Sequence, residues 1–215
     1  MKVRPEELAE QEVYKLMTGA IVPRAIAWVS TINATGQPNL APFSFFTAVC
    51  ALPPTILFCP GVRKITGQPK DTLNNILATG EFTVNFVTEA LAEAMNITAT
   101  ELSPDVDEFQ RAGLTAVPGD VVNVPYVAES PIHFECRLNQ VVTVSDQPGG
   151  GSVVIGTIVY IRVDDRIWRE GNKLDFNAYQ AIGRLTGAGY CRVNDFFDMD
   201  RLPPEIPPAS SPKSS

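Results

Sequence analysis

Residues 63–72, reading Arg63-Lys64-Ile65-Thr66-Gly67-Gln68-Pro69-Lys70-Asp71-Thr72, gather three cations and two hydroxyls. They do so in a 215-residue chain whose net charge is −7, from 17 basic and 24 acidic side chains. Directly after them, Asp71 can cap a short helix that runs through Leu77 and ends at Gly80. A helix start carries free N–H groups and a partial positive charge, so Lys70 beside it and Thr72 in its first turn make a sound phosphate site. A capped helix preceded by a solvated basic turn fits the same residues. A second group is Ser44-Phe45-Phe46-Thr47, where two hydroxyls flank two aromatics. That arrangement suits a planar heteroaromatic ring, which needs apolar area and a few aimed hydrogen bonds. A core strand would also use the two aromatics.

Nucleophilic, acid–base and metal chemistry find less material. His133 is the only histidine, has no carboxylate or thiol at motif spacing, and reads as structural. Cys50, Cys59, Cys136 and Cys191 lack CxxC spacing and read as buried thiols, with neither a metal site nor a disulfide framework. No Walker loop or GxGxxG is present, and Gly149–Gly151 lies in a hairpin and opens no helix.

The elements that must position these groups follow from an uncharged stretch. Between Arg24 and Arg63 there is no charged residue, although charged residues make up 19% of the chain, so this stretch reads as core or pocket wall. Turn residues at 33–36 and Pro53-Pro54 cut it into Ile26–Ile32, Phe43–Val49 and Thr55–Cys59, expected to form a buried three-strand meander. Apolar spacing at Leu8, Val13, Leu16 and Met17 predicts an N-terminal helix over residues 1–19, covering an end or face of the fold and closed by a left-handed Gly19. Phe82–Val87 reads as a strand, and Thr88–Ile97 and Asp107–Ala112 as packing helices. Ile132–Ser145 and Ser152–Val163 form a long hairpin able to close a sheet into a barrel. In the Gly183–Gly187 turn, Arg184, with Tyr190 after it, could lean over a pocket mouth. The Pro/Ser-rich stretch 201–215 cannot build a core and is expected to be disordered.

The length suits one domain, expected over residues 20–200. No apolar run is long enough to span a bilayer and the first residues lack a signal core, so a cytoplasmic protein without membrane contact is expected. The acidic balance also argues against nucleic acid.

Several of these segments together resemble the flavin-reductase-like, FMN-binding split-barrel family, in its flavoredoxin-like branch. They are Pro23–Thr31, Pro38–Phe46, Lys70–Leu73, Glu81–Asn85, Ala92–Asn96, Val127–Pro131 and Gly183–Leu185, in consistent order over roughly residues 20–193. The resemblance implies a mainly β fold with peripheral helices, a six-stranded antiparallel split β-barrel. It also implies a homodimer with FMN at or near the subunit interface. The implied FMN-binding set is Arg24, Ala25, Trp28, Ser44, Phe45, Phe46, Thr47, Pro60, Gly61, Lys70, Asp71 and Thr72. Within it, Ser44–Thr47 meet the ring edge, and Arg24 with Lys70–Thr72 meet the phosphate and ribityl chain. Arg184 and Tyr190 are placed on the nicotinamide side. Hydride transfer from NAD(P)H to flavin is chemistry of the cofactor, so no catalytic side chain or metal is required. The implied function is an FMN-dependent NAD(P)H:flavin oxidoreductase. The alternatives are an FMN-holding electron carrier serving a protein redox partner, or a flavin-binding module without turnover. Thr47 stands where asparagine or serine is expected as often. The chain also lacks the Gly-Asp-His motif of the shorter reductase components, which argues against a fast reductase of diffusible flavin.

Overall fold

Residues 2–103 and 106–202 are described by the computed structural model of the chain. Seven strands make one antiparallel sheet: β1 Ala27–Ile32, β2 Pro38–Phe43, β3 Phe46–Ala51, β4 Pro54–Phe58, β5 Glu81–Asn85, β6 Ile132–Ser145 and β7 Gly151–Val163. Their order is β2-β1-β5-β6-β7-β4-β3. The two edge strands, β2 and β3, are therefore neighbours in sequence, separated by Ser44 and Phe45 alone. So short a link spans only about 10 Å, which forces the two edges together and curls the sheet into a barrel with its seam at the link.

This arrangement corrects the expected meander and the expected six strands. Pro38–Phe43 is a strand of its own, and β1 and β4 lie in different parts of the sheet. Its prolines read as punctuation, but β2 is an edge. The Leu40 N–H points away from the ladder and donates to Glu108 Oε2 at 3.2 Å. By strand alternation Pro38 and Pro42 share that outward orientation, and proline has no N–H to leave unpaired. Edge strand β3 is not buried either. Thr47–Ala51 are exposed, Val49 at 51%, and Leu52 in the following turn is 92% exposed.

Inside the barrel, Phe58 packs against Phe43 at 5.1 Å and edge-on against Phe82 at 5.5 Å. Gly156 lies so close beneath Phe82 that a Cβ there would sit 2.3 Å from the ring, so the strand needs glycine at that point. Helix α2, Asp71–Thr79, lays Leu73 and Ile76 on this core and stops at left-handed Gly80 (φ 72°). Its N-cap is Lys70, one residue before the expected Asp71, which instead occupies the first turn. Helices α3 Ala92–Thr98 and α4 Glu108–Arg111 close a second core around Trp28, with Met95 and Phe109. The Asp107 carboxylate caps α4 by accepting from the N–H groups of Phe109 and Gln110.

The N-terminal helix α1 spans Glu10–Ala20 and passes straight through Gly19. The Val22-Pro23 step stops it, because a residue before proline is driven out of the helical region. Tyr14, Leu16 and Met17 are each about half exposed, and Thr18 is its buried residue, so α1 does not seal the barrel with an apolar face as expected. The Pro/Ser-rich tail lies outside the described residues from 203 onward. Among the described residues no helix is long and apolar enough to cross a membrane.

Glu135 on β6 is buried, yet its carboxylate accepts the backbone N–H groups of Asp120, Val121 and Val122 at 2.7–2.8 Å. It thereby holds the loop before Tyr126 against the sheet. Hydrogen bonds to a charged acceptor are each worth about 1.5–3 kcal/mol. Glu135→Gln, which loses both the charge and one acceptor oxygen, is expected to lower unfolding free energy by about 2–3 kcal/mol in a denaturant titration.

Candidate functional site

A cleft of about 440 Å³, counting its open mouth, runs between β2, the start of α2 and the connection from α3 to α4. Ala41, Pro42 and Phe43 give it an uncharged wall, and Arg63 and Lys70 give it two cations. Arg63 pairs with Asp71 at 2.6 Å and donates to the Pro69 carbonyl at 2.8 Å, which ties the basic turn to the head of α2. Lys70 Nζ lies 2.6 Å from Glu101 Oε1. Thr72 is buried, and its hydroxyl accepts from Asn39 Nδ2 at 3.1 Å, so it fixes Asn39 on the cleft wall. Glu108 sits deeper in the wall, and burial pushes its carboxyl above the usual range. Lys64 stays outside, paired with Glu10 of α1 at 2.7 Å.

At the inner end of this wall stands the barrel seam. Ser44 Oγ accepts from Arg24 Nε at 3.3 Å, and the Phe45 carbonyl accepts from Cys59 N–H at 2.9 Å. Phe46 packs edge-on to Phe86, while Thr47 is exposed. Pro60 and Gly61 lie against the turn of the long hairpin, where the Pro60 carbonyl accepts from Ser152 N–H at 3.1 Å.

Two expected FMN-binding residues have partners within the protein. Arg24 is 6% exposed, and its guanidinium donates to the carbonyls of Thr18 (2.6 Å), Ile21 (2.8 Å) and Leu185 (2.8 Å). With these donors engaged it clasps the C-terminus of α1 to the seam, where a cation is favoured. Trp28 is wholly buried and donates to Thr98 Oγ1 at 2.9 Å, so its side chain belongs to the second core. Ala25 opens onto a separate, mainly apolar groove that Phe86, Ile182 and Gly183 also line.

Arg184 and Tyr190 do meet. They sit on paired strands Ile182–Arg184 and Tyr190–Arg192, with the guanidinium carbon 4.5 Å from the ring centre. Arg184 also exchanges two backbone hydrogen bonds with Arg24, at 2.8 and 2.9 Å. The pair is thus tied to the Arg24 backbone and does not line the cleft.

Asn39, Glu101 and Glu108 were not singled out from the sequence. Asn39 lies inside the resembling Pro38–Phe46 stretch, which was a usable signal. Glu101 and Glu108 had none, because α3 and α4 bring them to the cleft through packing across some thirty or more positions.

Against known proteins, the model of the flavin reductase like domain matches residues 18–181, and the chain belongs to that family. Three solved structures are similar to this chain. Nitrilotriacetate monooxygenase component B from Bacillus cereus is 31% identical, with a TM-score of 0.87 over 93% of this chain and 98% of that one. The 2-nitrobenzoate 2-nitroreductase NbaA of Pseudomonas fluorescens is 30% identical, with a TM-score of 0.84 over 96% of this chain and 98% of that one. Flavoredoxin of Desulfovibrio vulgaris is 25% identical, with a TM-score of 0.71 over 83% of this chain and 91% of that one.

His133 stands apart from this cleft. It is 4% exposed, stacks on Tyr126 at 4.2 Å, and among the described residues its Nδ1 has no hydrogen-bond partner. Burial first, and then the charge of Arg162, push its pKa down to about 4. An unfolded imidazole takes up its proton near pH 6.5, so between there and pH 4 the unfolded chain binds more protons. Stability is therefore expected to fall as pH drops through that window, by up to about 3 kcal/mol from this group. His133→Phe, which keeps a ring on Tyr126, should flatten that part of a stability–pH curve measured by urea unfolding.

Proposed function

We propose that the chain is an FMN-dependent NAD(P)H:flavin oxidoreductase, working in the cytoplasm as a homodimer. The observation that carries this reading is the cleft itself, which joins the uncharged wall of β2 to Arg63 and Lys70. FMN has the matching division, a flat heteroaromatic ring at one end and a phosphate dianion at the other. Arg63 and Lys70 would hold the phosphate at the head of α2, and Asn39 would face the polar chain between. Asp71 keeps Arg63 in place. Ser44–Thr47 and the Pro60-Gly61 turn would border the ring, partly through backbone groups. Bound FMN supplies the hydride acceptor, so the protein needs no acid–base triad.

What remains for the side chains is alignment and the exclusion of water. Arg184 and Tyr190, already stacked on one another beside the apolar groove, are suited to orient a nicotinamide toward the seam. A second copy suits the exposed, uncharged β3 edge and the half-exposed Tyr14, Leu16 and Met17 of α1, because monomers rarely leave such surface to water. The four cysteines are free thiols, in keeping with a reducing compartment, although only Cys136 is buried as expected and Cys50 is exposed. Likeness to a monooxygenase component and a nitroreductase supports an enzyme. Likeness to a flavoredoxin favours the second reading, an FMN-holding electron carrier with a protein redox partner.

Anaerobic addition of NADH, then NADPH, to the FMN-loaded protein separates the two. One nicotinamide should bleach the visible flavin band within seconds or faster. Changing Arg184 and Tyr190 together to alanine should slow bleaching while FMN affinity stays nearly constant. A flavin that remains oxidised with both nicotinamides, yet is reduced by a low-potential protein donor, would establish the carrier instead. Arg24→Met is expected to lower stability by about 3 kcal/mol, since it strands buried carbonyls, while leaving the ratio of FMN to riboflavin affinity unchanged.

A further inference from the structure

The two cations of the cleft are held in different ways. Arg63 is locked within its own turn, between Asp71 and the Pro69 carbonyl. Lys70 has Glu101 as its only side-chain partner among the described residues, and Glu101 likewise makes no other hydrogen bond there. Glu101 arrives from the connection after α3, some thirty residues on, and both side chains are partly open to solvent at the cleft mouth (29% for Lys70, 44% for Glu101).

A carboxylate and a phosphate oxygen are interchangeable acceptors for an ammonium, but they repel one another. A half-exposed ion pair of this kind is weak, so an incoming dianion can replace the carboxylate at little cost. We propose that Glu101 is the carboxylate that a flavin phosphate must displace from Lys70, and that it thereby sets how strongly the site prefers FMN to riboflavin. This rests on the reading of the Lys70 turn as the phosphate site. The hydrogen bond from Lys70 holds the Glu101 carboxyl below its usual range, so the competing charge is present at neutral pH. Glu101 acts through Lys70, as a brake on phosphate binding, and lets the cofactor exchange.

The test is a set of FMN and riboflavin titrations on the full chain, followed by flavin fluorescence at one fixed ionic strength. Glu101→Gln should tighten FMN about three- to tenfold and leave riboflavin unchanged. Lys70→Ala should weaken FMN and spare riboflavin. In the double variant the effect of Glu101→Gln should vanish, because the partner through which it acts is gone. If Lys70→Ala weakens FMN selectively but Glu101→Gln does not strengthen it, the brake is disproved and the phosphate site stands. If Glu101→Gln tightens FMN equally with and without Lys70, Glu101 acts by general repulsion and the exchange is disproved. If Lys70→Ala leaves FMN unaffected, the phosphate site and the brake both fall.

Discussion

A two-residue connection between the opposite edges of a seven-stranded sheet is the constraint on which the rest of this structure depends. Ser44 and Phe45 cannot reach from β2 to β3 unless the sheet closes, and closure makes the seam a crowded junction. Arg24 serves that junction. Burying a guanidinium is unfavourable by several kcal/mol unless its donors are filled. Here four hydrogen bonds go to the end of α1, the Ser44 hydroxyl and the Leu185 carbonyl, three segments far apart in sequence. One charged side chain thus fixes the N-terminal helix, the seam and the C-terminal strand pair relative to one another. The cleft of β2 and α2 and the apolar groove lined by Arg24 are separate, and the strand carrying Arg184 is tied to Arg24 through its backbone.

The cleft has its own logic in an acidic chain. Its cations come from a short turn and a helix N-cap, where the backbone N–H groups of α2 add to their field. Its wall is an edge strand whose outward positions are Pro38, Leu40 and Pro42, with the Leu40 N–H taken by Glu108. Such an edge offers no free donor for another strand to pair with, so it can face a ligand without inviting aggregation. The same Glu108 contact presses α4 on β2, which brings the connection carrying Glu101 up to Lys70.

Much of the fold was legible in the sequence, wherever local pattern and burial agree. The long hairpin, the strand at Phe82, α2 with its Gly80 stop and the Asp107-capped turn of α4 all lie where residue types place them. Local pattern misleads where position in the sheet overrides it. Pro38 and Pro42 look like breaks until β2 is known to be an edge. The absence of charge from 25 to 62 suggested uniform burial, yet it covers both the core strand β1 and the exposed edge β3. Gly19 looks like a helix end, but Pro23 sets the end two residues later. Lys70, Asp71 and Thr72 were legible as a helix start, and α2 begins there. Arg24 and Trp28 were assigned to the ligand by resemblance, and only their carbonyl and Thr98 partners reveal what they hold. Glu101 and Glu108 reach the cleft by packing alone and left no local signal.

A crystal structure of the chain with FMN measures the central claim most directly, because it locates the phosphate. The expected result is a phosphate within hydrogen-bonding reach of Lys70 and Arg63 at the head of α2, with the ring extending along Ala41–Phe43 toward Ser44. A phosphate bound instead near Arg162 and His133, or beside Arg184 and Tyr190, would contradict it.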